Sequence, residues 1–169
     1  MNPTPVVLYG EHVRLEPLDH AHADQLLEEA NSDEIWRYMP VRRPVTRAEL
    51  VTLIDKAWKA ASEGLEVPFA IIADQTGRAV GSTRFLDIRR SDRALEIGWT
   101  WLGKSAQRTA VNTETKLLLL RHAFDDLGAL RVQLKTDGRN EQSQRAIERL
   151  GAVKEGVLRK SRLTGDGIY

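Results

Sequence analysis

Short apolar runs and stretches in which apolar and polar residues alternate predict six β-strands. Along residues 93–102 apolar side chains alternate with small or polar ones, which predicts that Trp99 and Trp101 lie on the face opposite Glu96. The turn from Asp74 to Gly77 joins the second and third strands into a hairpin. The six predicted strands cover residues 12–18, 68–73, 79–88, 93–102, 130–136 and 153–158.

Four other segments repeat apolar residues at the spacing of an amphipathic helix. Thr46 and Glu49 have the spacing of a capping box at the start of one of them. Residues 31–45 separate the first two helices and predict a short helical turn followed by a proline-containing loop. The helices are predicted after Asp19 as N-cap, from Thr46 to Gly64, from Thr113 to Leu127 and from Asn140 to Leu150.

The order of these elements predicts the fold class. A strand and helices come first, then three antiparallel strands, and then helix, strand, helix and strand. This order indicates an α/β protein with a mixed sheet rather than a doubly wound one. The 169 residues contain no internal repeat or linker, so we expect a single domain over residues 1–169.

Composition narrows the classes of partner. The chain has 25 basic and 24 acidic residues, a formal net charge of +1, so charge calls for neither nucleic acid nor a membrane. It has no cysteine, which excludes disulfides and thiol nucleophiles and suits a reducing compartment. With no secretory signal and no apolar run long enough to span a bilayer, we expect a cytoplasmic protein. Its four histidines lack metal-ligand spacing, so we expect no metal.

The stretch QRTAVNTE, from Gln107 to Glu114, joins a predicted strand to a predicted helix. The first turn of a helix exposes unpaired backbone N–H groups at the positive end of its dipole, where a phosphate can bind. The stretch lacks the glycine pattern of a P-loop, and it also lacks that of a dinucleotide-binding fold. Small Ala110 and Asn112 would let a ligand approach the backbone, and Arg108 could donate to phosphate. Alternatively, Asn112 only caps the helix and Arg108 is a solvated charge.

This junction, together with the element order, resembles the GNAT superfamily of acyl-CoA N-acyltransferases, whose corresponding loop wraps the pyrophosphate of acetyl-CoA. Gln107 matches the first position of the family loop, but Ala110 stands where glycine is usual and Asn112 where glycine or alanine is usual. The segment from about Leu95 to Lys160 resembles the RimJ/RimL branch, related to the ribosomal-protein N-terminal acetylases.

The resemblance implies a GNAT-like fold: one N-acetyltransferase domain with a mixed, mostly antiparallel central sheet flanked by helices. It also implies acetyl-CoA as co-substrate, no metal, and an amine acceptor that is either a peptide N-terminus or a small molecule. Asn140 is implied to bind the pantetheine arm, although it could simply be an N-cap. The implied acetyl-CoA-binding residues are Gln107, Arg108, Thr109, Ala110, Val111, Asn112 and Asn140.

Two further residues match catalytic positions of the family. The resemblance implies that Glu96 is a general base acting through water, and that Ser143 is a general acid for the leaving thiolate. A carboxylate in the middle of a strand is costly to bury unless it has a catalytic role or a partner of opposite charge. Glu96 could therefore instead form an ion pair with an arginine such as Arg84 or Arg131.

The aromatic residues have two interpretations. Trp36 and Tyr38 lie in the irregular loop that also contains Arg42 and Arg43, so we expect them to bind the acceptor. Trp58 and at least one of the strand tryptophans are expected in the core instead.

The expected reaction is direct attack of a primary amine on the acetyl thioester, without a covalent enzyme intermediate. The alternative is a non-catalytic module that binds or senses acyl-CoA. Members of the branch usually continue past the segment resembling RLTGDGIY with a further strand, whereas this chain stops at Tyr169. We therefore expect the C-terminal strand to be missing or shared with a second copy, which would form a homodimer.

Overall fold

A computed structural model describes all residues, 1–169, and has one six-stranded sheet with its strands side by side in chain order. The first five strands pair antiparallel, and β6 pairs parallel with β5. This arrangement confirms the mixed, mostly antiparallel sheet. The strands are β1 (Leu8–Tyr9), β2 (Val13–Pro17), β3 (Val67–Ala73), β4 (Arg78–Arg89), β5 (Ala94–Leu102) and β6 (Arg131–Gln133).

Helices cover both faces of the sheet. A single 3₁₀ turn (His20–His22) leads into α1, and a π-helical turn (His122–Asp126) extends α4. Thr46 and Glu49 form the predicted capping box at the start of α3. None of the helices combines the length and apolar character needed to cross a membrane. The helices are α1 (Ala23–Glu29), α2 (Asp33–Trp36), α3 (Arg47–Ser62), α4 (Ala110–Arg121) and α5 (Glu141–Glu148).

The core consists of two apolar clusters, one on each face of the sheet. On one face α4 contributes Val111 and Leu119, which pack with strand residues such as Phe85 and Ile97. On the other face α1, α2 and α3 pack against the sheet, and Trp36 and Trp101 belong to this second cluster. The burial of Trp101 confirms that one strand tryptophan is core.

A β-bulge in β5 overturns one prediction about the sheet. Ser82 pairs with Trp101 and Arg84 pairs with Gly98, so Thr83 alone faces two residues of β5. The extra residue reverses the alternation of side chains beyond it. Trp101 therefore packs on the α1–α3 face, opposite the Leu95 and Ile97 side, and not on the face predicted from strict alternation.

Four other predictions differ from the structure. The strand predicted over residues 130–136 is only Arg131–Gln133. The helix predicted from Thr113 begins three residues earlier, at Ala110. Trp58 is 40% exposed rather than core, and it stacks on His20 while its indole N–H donates to Leu18 O at 2.7 Å. Residues 153–158 form no strand. Val153 and Val157 in this segment are exposed, and no neighbouring strand supplies hydrogen bonds there.

Candidate active site

The parallel pairing of β5 with β6 ends after three residues, and the last pair is Glu96 with Gln133. β5 continues for six more residues to Leu102, whereas β6 stops. The two strands therefore diverge at Glu96 and leave the edge of β5 without a partner strand. Glu96 thus lies at the point where the two strands separate.

Glu96 is buried, with 3% of its surface exposed, but its carboxylate is not isolated. Lys135 Nζ lies 2.7 Å from Oε2, and Gln133 Nε2 donates to the same oxygen at 3.1 Å. Oε1 has no hydrogen-bond partner in the protein and is not sealed from solvent. One oxygen is thus fixed in place, and the other is free to accept a proton through a water molecule.

The predicted arginine partners of Glu96 are wrong, because both arginines are engaged elsewhere. Arg84 pairs with Glu66 at 2.8 Å, and Arg131 pairs with Glu155. Sequence reasoning missed Lys135 as the partner. Gln133 and Lys135 are two residues apart and so project to one side of an extended chain, but only the register of β6 against β5 places that side at Glu96.

The bulge in β5 lies directly beyond Glu96. Trp99 adopts a left-handed backbone conformation with φ of 52°, which is strained for an aromatic residue. The guanidinium of Arg84 stacks on the Trp99 ring at 4.3 Å and holds it there. Burial lowers the pKa of Arg84, and the charge of Glu66 opposes that effect. A bulge interrupts the ladder and frees a backbone N–H, which can bind an oxyanion.

Gly98 separates Glu96 from the bulge. A Cβ atom at this position would lie 3.0 Å from both Glu96 Oε1 and Leu86 Cδ2. Glycine therefore leaves space at the free oxygen of the carboxylate. A side chain here would displace that oxygen or the neighbouring leucine.

A buried lysine connects α4 to the bulge. Lys116 is 6% exposed and donates from Nζ to Thr100 Oγ1 at 2.6 Å, and that hydroxyl bonds Thr83 Oγ1 at 2.8 Å. No carboxylate pairs with this ammonium group. Burial alone lowers the pKa of Lys116 to about 7.

The predicted phosphate loop forms the N-terminus of α4. Thr109, not Asn112, is the N-cap, because its hydroxyl accepts from Val111 N at 3.2 Å. Arg108 and Ala110 are exposed, and Gln107 is held by a bond from its side chain to Leu102 O at 3.0 Å. The first backbone N–H groups of α4 thus lie at the surface beside an arginine.

Glu114 fixes the start of α4 against the sheet. Its carboxylate accepts hydrogen bonds from the backbone N–H groups of Glu11, His12 and Val13, at 2.6–2.8 Å. Desolvation raises the pKa of Glu114, but these three bonds outweigh it and hold the pKa below its usual value. The last residue of the QRTAVNTE stretch therefore anchors the loop rather than contacting a ligand.

Asn140 and Ser143 begin α5, which follows β6. Asn140 is the N-cap, as the alternative interpretation predicted, and its Oδ1 accepts from Ser143 N at 3.1 Å. The Ser143 hydroxyl is half-buried and makes no hydrogen bond to the protein, so it remains available as a donor. No hydrogen bond joins it to Glu96.

The two predicted acceptor-binding aromatics have different environments. Trp36 is buried, its indole N–H donates to Ala30 O at 3.2 Å, and its ring packs on Trp101 with centroids 5.0 Å apart. Tyr38 is half-buried, and its ring lies under the guanidinium of Arg139, the residue before the α5 cap. Tyr38 thus lies beside the entrance to α5, whereas Trp36 can only form a wall. No cluster of three or more potential metal ligands is present.

Comparison with known proteins assigns this architecture to a family. Residues 12–153 match the family model described as the acetyltransferase (GNAT) domain. The chain is 26% identical over 152 residues to the uncharacterized N-acetyltransferase p20 of Bacillus licheniformis, a match covering 90% of this chain and 85% of that protein.

Solved structures of acetyltransferases share the fold. A GCN5-related N-acetyltransferase from Brucella melitensis superposes with a TM-score of 0.91 at 29% identity, over 98% of this chain and 76% of that one. Mycobacterium smegmatis RimJ in complex with CoA-disulfide superposes with a TM-score of 0.85 at 18% identity, over 97% of this chain and 83% of that one. At that identity the second match shows the fold alone.

Proposed function

The chain belongs to the GNAT family of acetyltransferases, and from this membership we propose that it moves an acetyl group from acetyl-CoA to a primary amine. The observation that carries the proposal is the carboxylate of Glu96. It is fixed through one oxygen and free at the other, at the last pair before β5 and β6 separate. The acceptor is a peptide N-terminus or a small-molecule amine.

Acetyl-CoA fits the features around the gap between the strands. The exposed start of α4, from Gln107 to Asn112, offers backbone N–H groups and Arg108 to a pyrophosphate. The pantetheine arm lies along the free edge of β5 and accepts a hydrogen bond from the Asn140 side-chain amide. Asn140 can do this while capping α5, because only its carbonyl oxygen is used by the cap. The binding of CoA-disulfide by the RimJ structure supports a CoA site on this fold.

Glu96 acts as general base. Its free oxygen takes a proton, through water, from the incoming ammonium, and the neutral amine attacks the thioester carbonyl directly. A general base of this kind contributes about 10²- to 10⁴-fold to the rate. The bond from carbonyl carbon to sulfur then breaks, and no covalent enzyme intermediate forms.

Two other groups act on the developing charges. A backbone N–H freed by the bulge at Trp99 binds the carbonyl oxygen as it becomes negative. The half-buried Ser143 hydroxyl gives its proton to the leaving thiolate and is reprotonated, through water, by the second proton that the attacking nitrogen loses as the amide forms. Because free thiols have a pKa of about 8.5, a nearby hydroxyl or water can serve as this donor.

The ion pair of Glu96 with Lys135 also supports a second candidate function. A carboxylate held by an ammonium group at 2.7 Å could be structural, and the protein would then bind acyl-CoA without turning it over. Such a module would act as a sensor or as a partner subunit.

We further propose that the protein is a homodimer. β6 is an edge strand whose outer side has no partner, and Val153 and Val157 near it are 85% and 71% exposed. Unpaired edges beside apolar side chains favour association through a second chain.

Calorimetric titration with acetyl-CoA, combined with thiol release over a panel of peptides and amines, tests the proposed function. We expect binding with turnover, and an acceptor product heavier by one acetyl group. Binding without turnover for every acceptor would favour the acyl-CoA-binding module. Absence of binding would contradict both functions.

A further inference from the structure

A cleft of about 490 Å³ opens between the loop that follows α2 and the turn at Gly165. The two sides meet where Gly165 N donates to Met39 O at 2.7 Å. Trp36 lines the cleft and also packs on Trp101, the first residue beyond the bulge in β5. The cleft therefore lies one side chain away from Trp101 in β5, and its lining residue Asp166 pairs with Arg139, which precedes the Asn140 cap of α5. Its volume suits a small peptide or metabolite.

Each acidic residue lining this cleft already has a cationic partner. Asp33 approaches Arg43 Nε at 2.6 Å, as an ion pair without hydrogen-bond alignment. Glu34 pairs with Lys104 at 3.1 Å. Asp166 is the third lining carboxylate.

Asp166 is the most strongly held of these carboxylates. It accepts from the Thr164 hydroxyl and pairs with Arg139 at 2.8 Å. Hydrogen bonds from Thr164 and Arg139 lower the pKa of Asp166 to about 2, and the bond from Thr164 has the larger effect. None of the lining carboxylates is thus left to attract a cationic ligand.

Two arginines of the same cleft have no such partner. Arg37 contacts only the ring of Tyr38, at 5.8 Å, and Arg42 makes neither a hydrogen bond nor an ion pair. Both side chains are exposed. A guanidinium presents paired donors that match a carboxylate or phosphate. The cleft therefore carries two uncompensated positive charges and no uncompensated negative charge.

We propose that Arg37 and Arg42 bind a carboxylate or phosphate group of the acceptor, so that the enzyme acetylates amines that carry an anionic group. This inference rests on the proposed acetyl transfer and specifies its acceptor. Polycationic amines are disfavoured, because they would place like charges beside these arginines. An acidic peptide and a free amino acid with an acidic side chain share the required chemistry.

Matched acceptors test the preference. Peptides that differ only in having glutamate, glutamine or lysine after the N-terminal residue are compared by thiol release, alongside free glutamate, glutamine and a polyamine. We expect the acidic member of each set to have the highest kcat/KM. If only the peptides or only the free amino acids react, the reactive set identifies the source of the anionic group. Equal rates for the glutamate and glutamine members, or a preference for lysine, would overturn the proposal.

Variants of the two arginines test whether these side chains cause the preference for an acidic acceptor. R37Q and R42Q should each raise KM for the acidic acceptor at least about tenfold, because a charge-assisted hydrogen bond is lost. They should leave KM unchanged for the glutamine acceptor and for acetyl-CoA. R121Q removes an exposed, unpaired arginine from α4, on the opposite face of the sheet, and should leave all three values unchanged.

A binding assay separates this inference from the proposed function. Fluorescence polarisation of a labelled acidic peptide should show binding to the wild type and at least about tenfold weaker binding to R37Q and R42Q. If that pattern appears but no acceptor is acetylated, the cleft assignment stands and acetyl transfer fails. If neutral acceptors are acetylated while acidic peptides neither bind nor react, transfer stands and the assignment fails. Absence of both binding and transfer would contradict both.

Discussion

Two buried charged residues near β5 show opposite ways of holding a charge. Glu96 has a lysine at 2.7 Å and an amide donor, so its carboxylate is compensated inside the protein. Lys116 has only the hydroxyl of Thr100. Burying an ammonium group without a counter-charge is unfavourable, and its pKa falls to about 7 as a result. The chain retains a destabilising residue where α4 contacts the bulge.

The pKa of Lys116 predicts how stability depends on pH. The usual lysine value of 10.5 applies to the unfolded chain, so between pH 7 and 10.5 the unfolded state binds a proton that the folded state does not. Stability therefore rises with pH in this window, by at most about 1.4 kcal/mol per pH unit. Below pH 7 both states are protonated, and the full penalty remains.

Denaturant unfolding of K116M across pH 6 to 10 measures this contribution. We expect K116M to be more stable than the wild type at pH 6 and the difference to shrink as the pH rises. K59M makes the same change at an exposed position of α3 and should follow the wild type at every pH. If the free energies of unfolding of K116M and the wild type changed with pH in parallel, the buried environment assigned to Lys116 would be wrong.

At the scale of elements, patterns of neighbouring residues predicted the helices and their caps. They predicted less well which face of the sheet a side chain lies on and in which register two strands pair. The capping box at Thr46 and the N-cap at Asn140 depend on neighbouring residues and could be predicted from the sequence. The bulge in β5 could not, because it depends on pairing with β4, and one extra residue moves Trp101 to the other face. The partner of Glu96 was missed for the same reason: the register of β6 against β5 is non-local.

The start of α4 shows a smaller error of the same kind. From the sequence, only Asn112 is considered as a cap, whereas Thr109, also a residue type that caps helices, is the N-cap in the structure. Tertiary contacts decide the start, since Gln107 bonds Leu102 O and Glu114 bonds the backbone before β2. That the residues from Gln107 to Asn112 bind the pyrophosphate of acetyl-CoA remains a prediction.

The proposed binding of phosphate at the α4 N-terminus predicts the effect of R108Q. Loss of one guanidinium beside the helix dipole should weaken acetyl-CoA binding about tenfold at low salt, and less at high salt because ions screen the charge. Calorimetric titration measures the Kd. R121Q at the other end of α4 serves as the control and should bind acetyl-CoA like the wild type. An unchanged Kd for R108Q would mean that this loop only caps the helix.

For the whole molecule, the sheet separates the proposed binding sites. The proposed pyrophosphate site is at the start of α4, which covers one face, and the proposed acceptor cleft lies among the segments around α2 on the other face. β5 and β6 stop pairing after Glu96, so the sheet is open beside this residue. A donor and an acceptor can thus approach the same carboxylate from opposite sides.

The homodimer proposal is tested by light scattering at micromolar concentration. We expect a dimeric mass for the wild type and a lower mass for V157K, which places a charge on the exposed segment near β6. L65K introduces a lysine at another exposed apolar residue and should remain dimeric. A monomeric wild type would contradict the proposal.

The most direct test of the central claim is the rate of acceptor acetylation by E96Q at saturating acetyl-CoA, followed by mass spectrometry of the acceptor. Glutamine retains an oxygen for Lys135 and Gln133 but cannot accept the proton. We predict a kcat at least about 10²-fold below that of the wild type, with an unchanged Kd for acetyl-CoA. Wild-type kcat in E96Q would contradict Glu96 as the base.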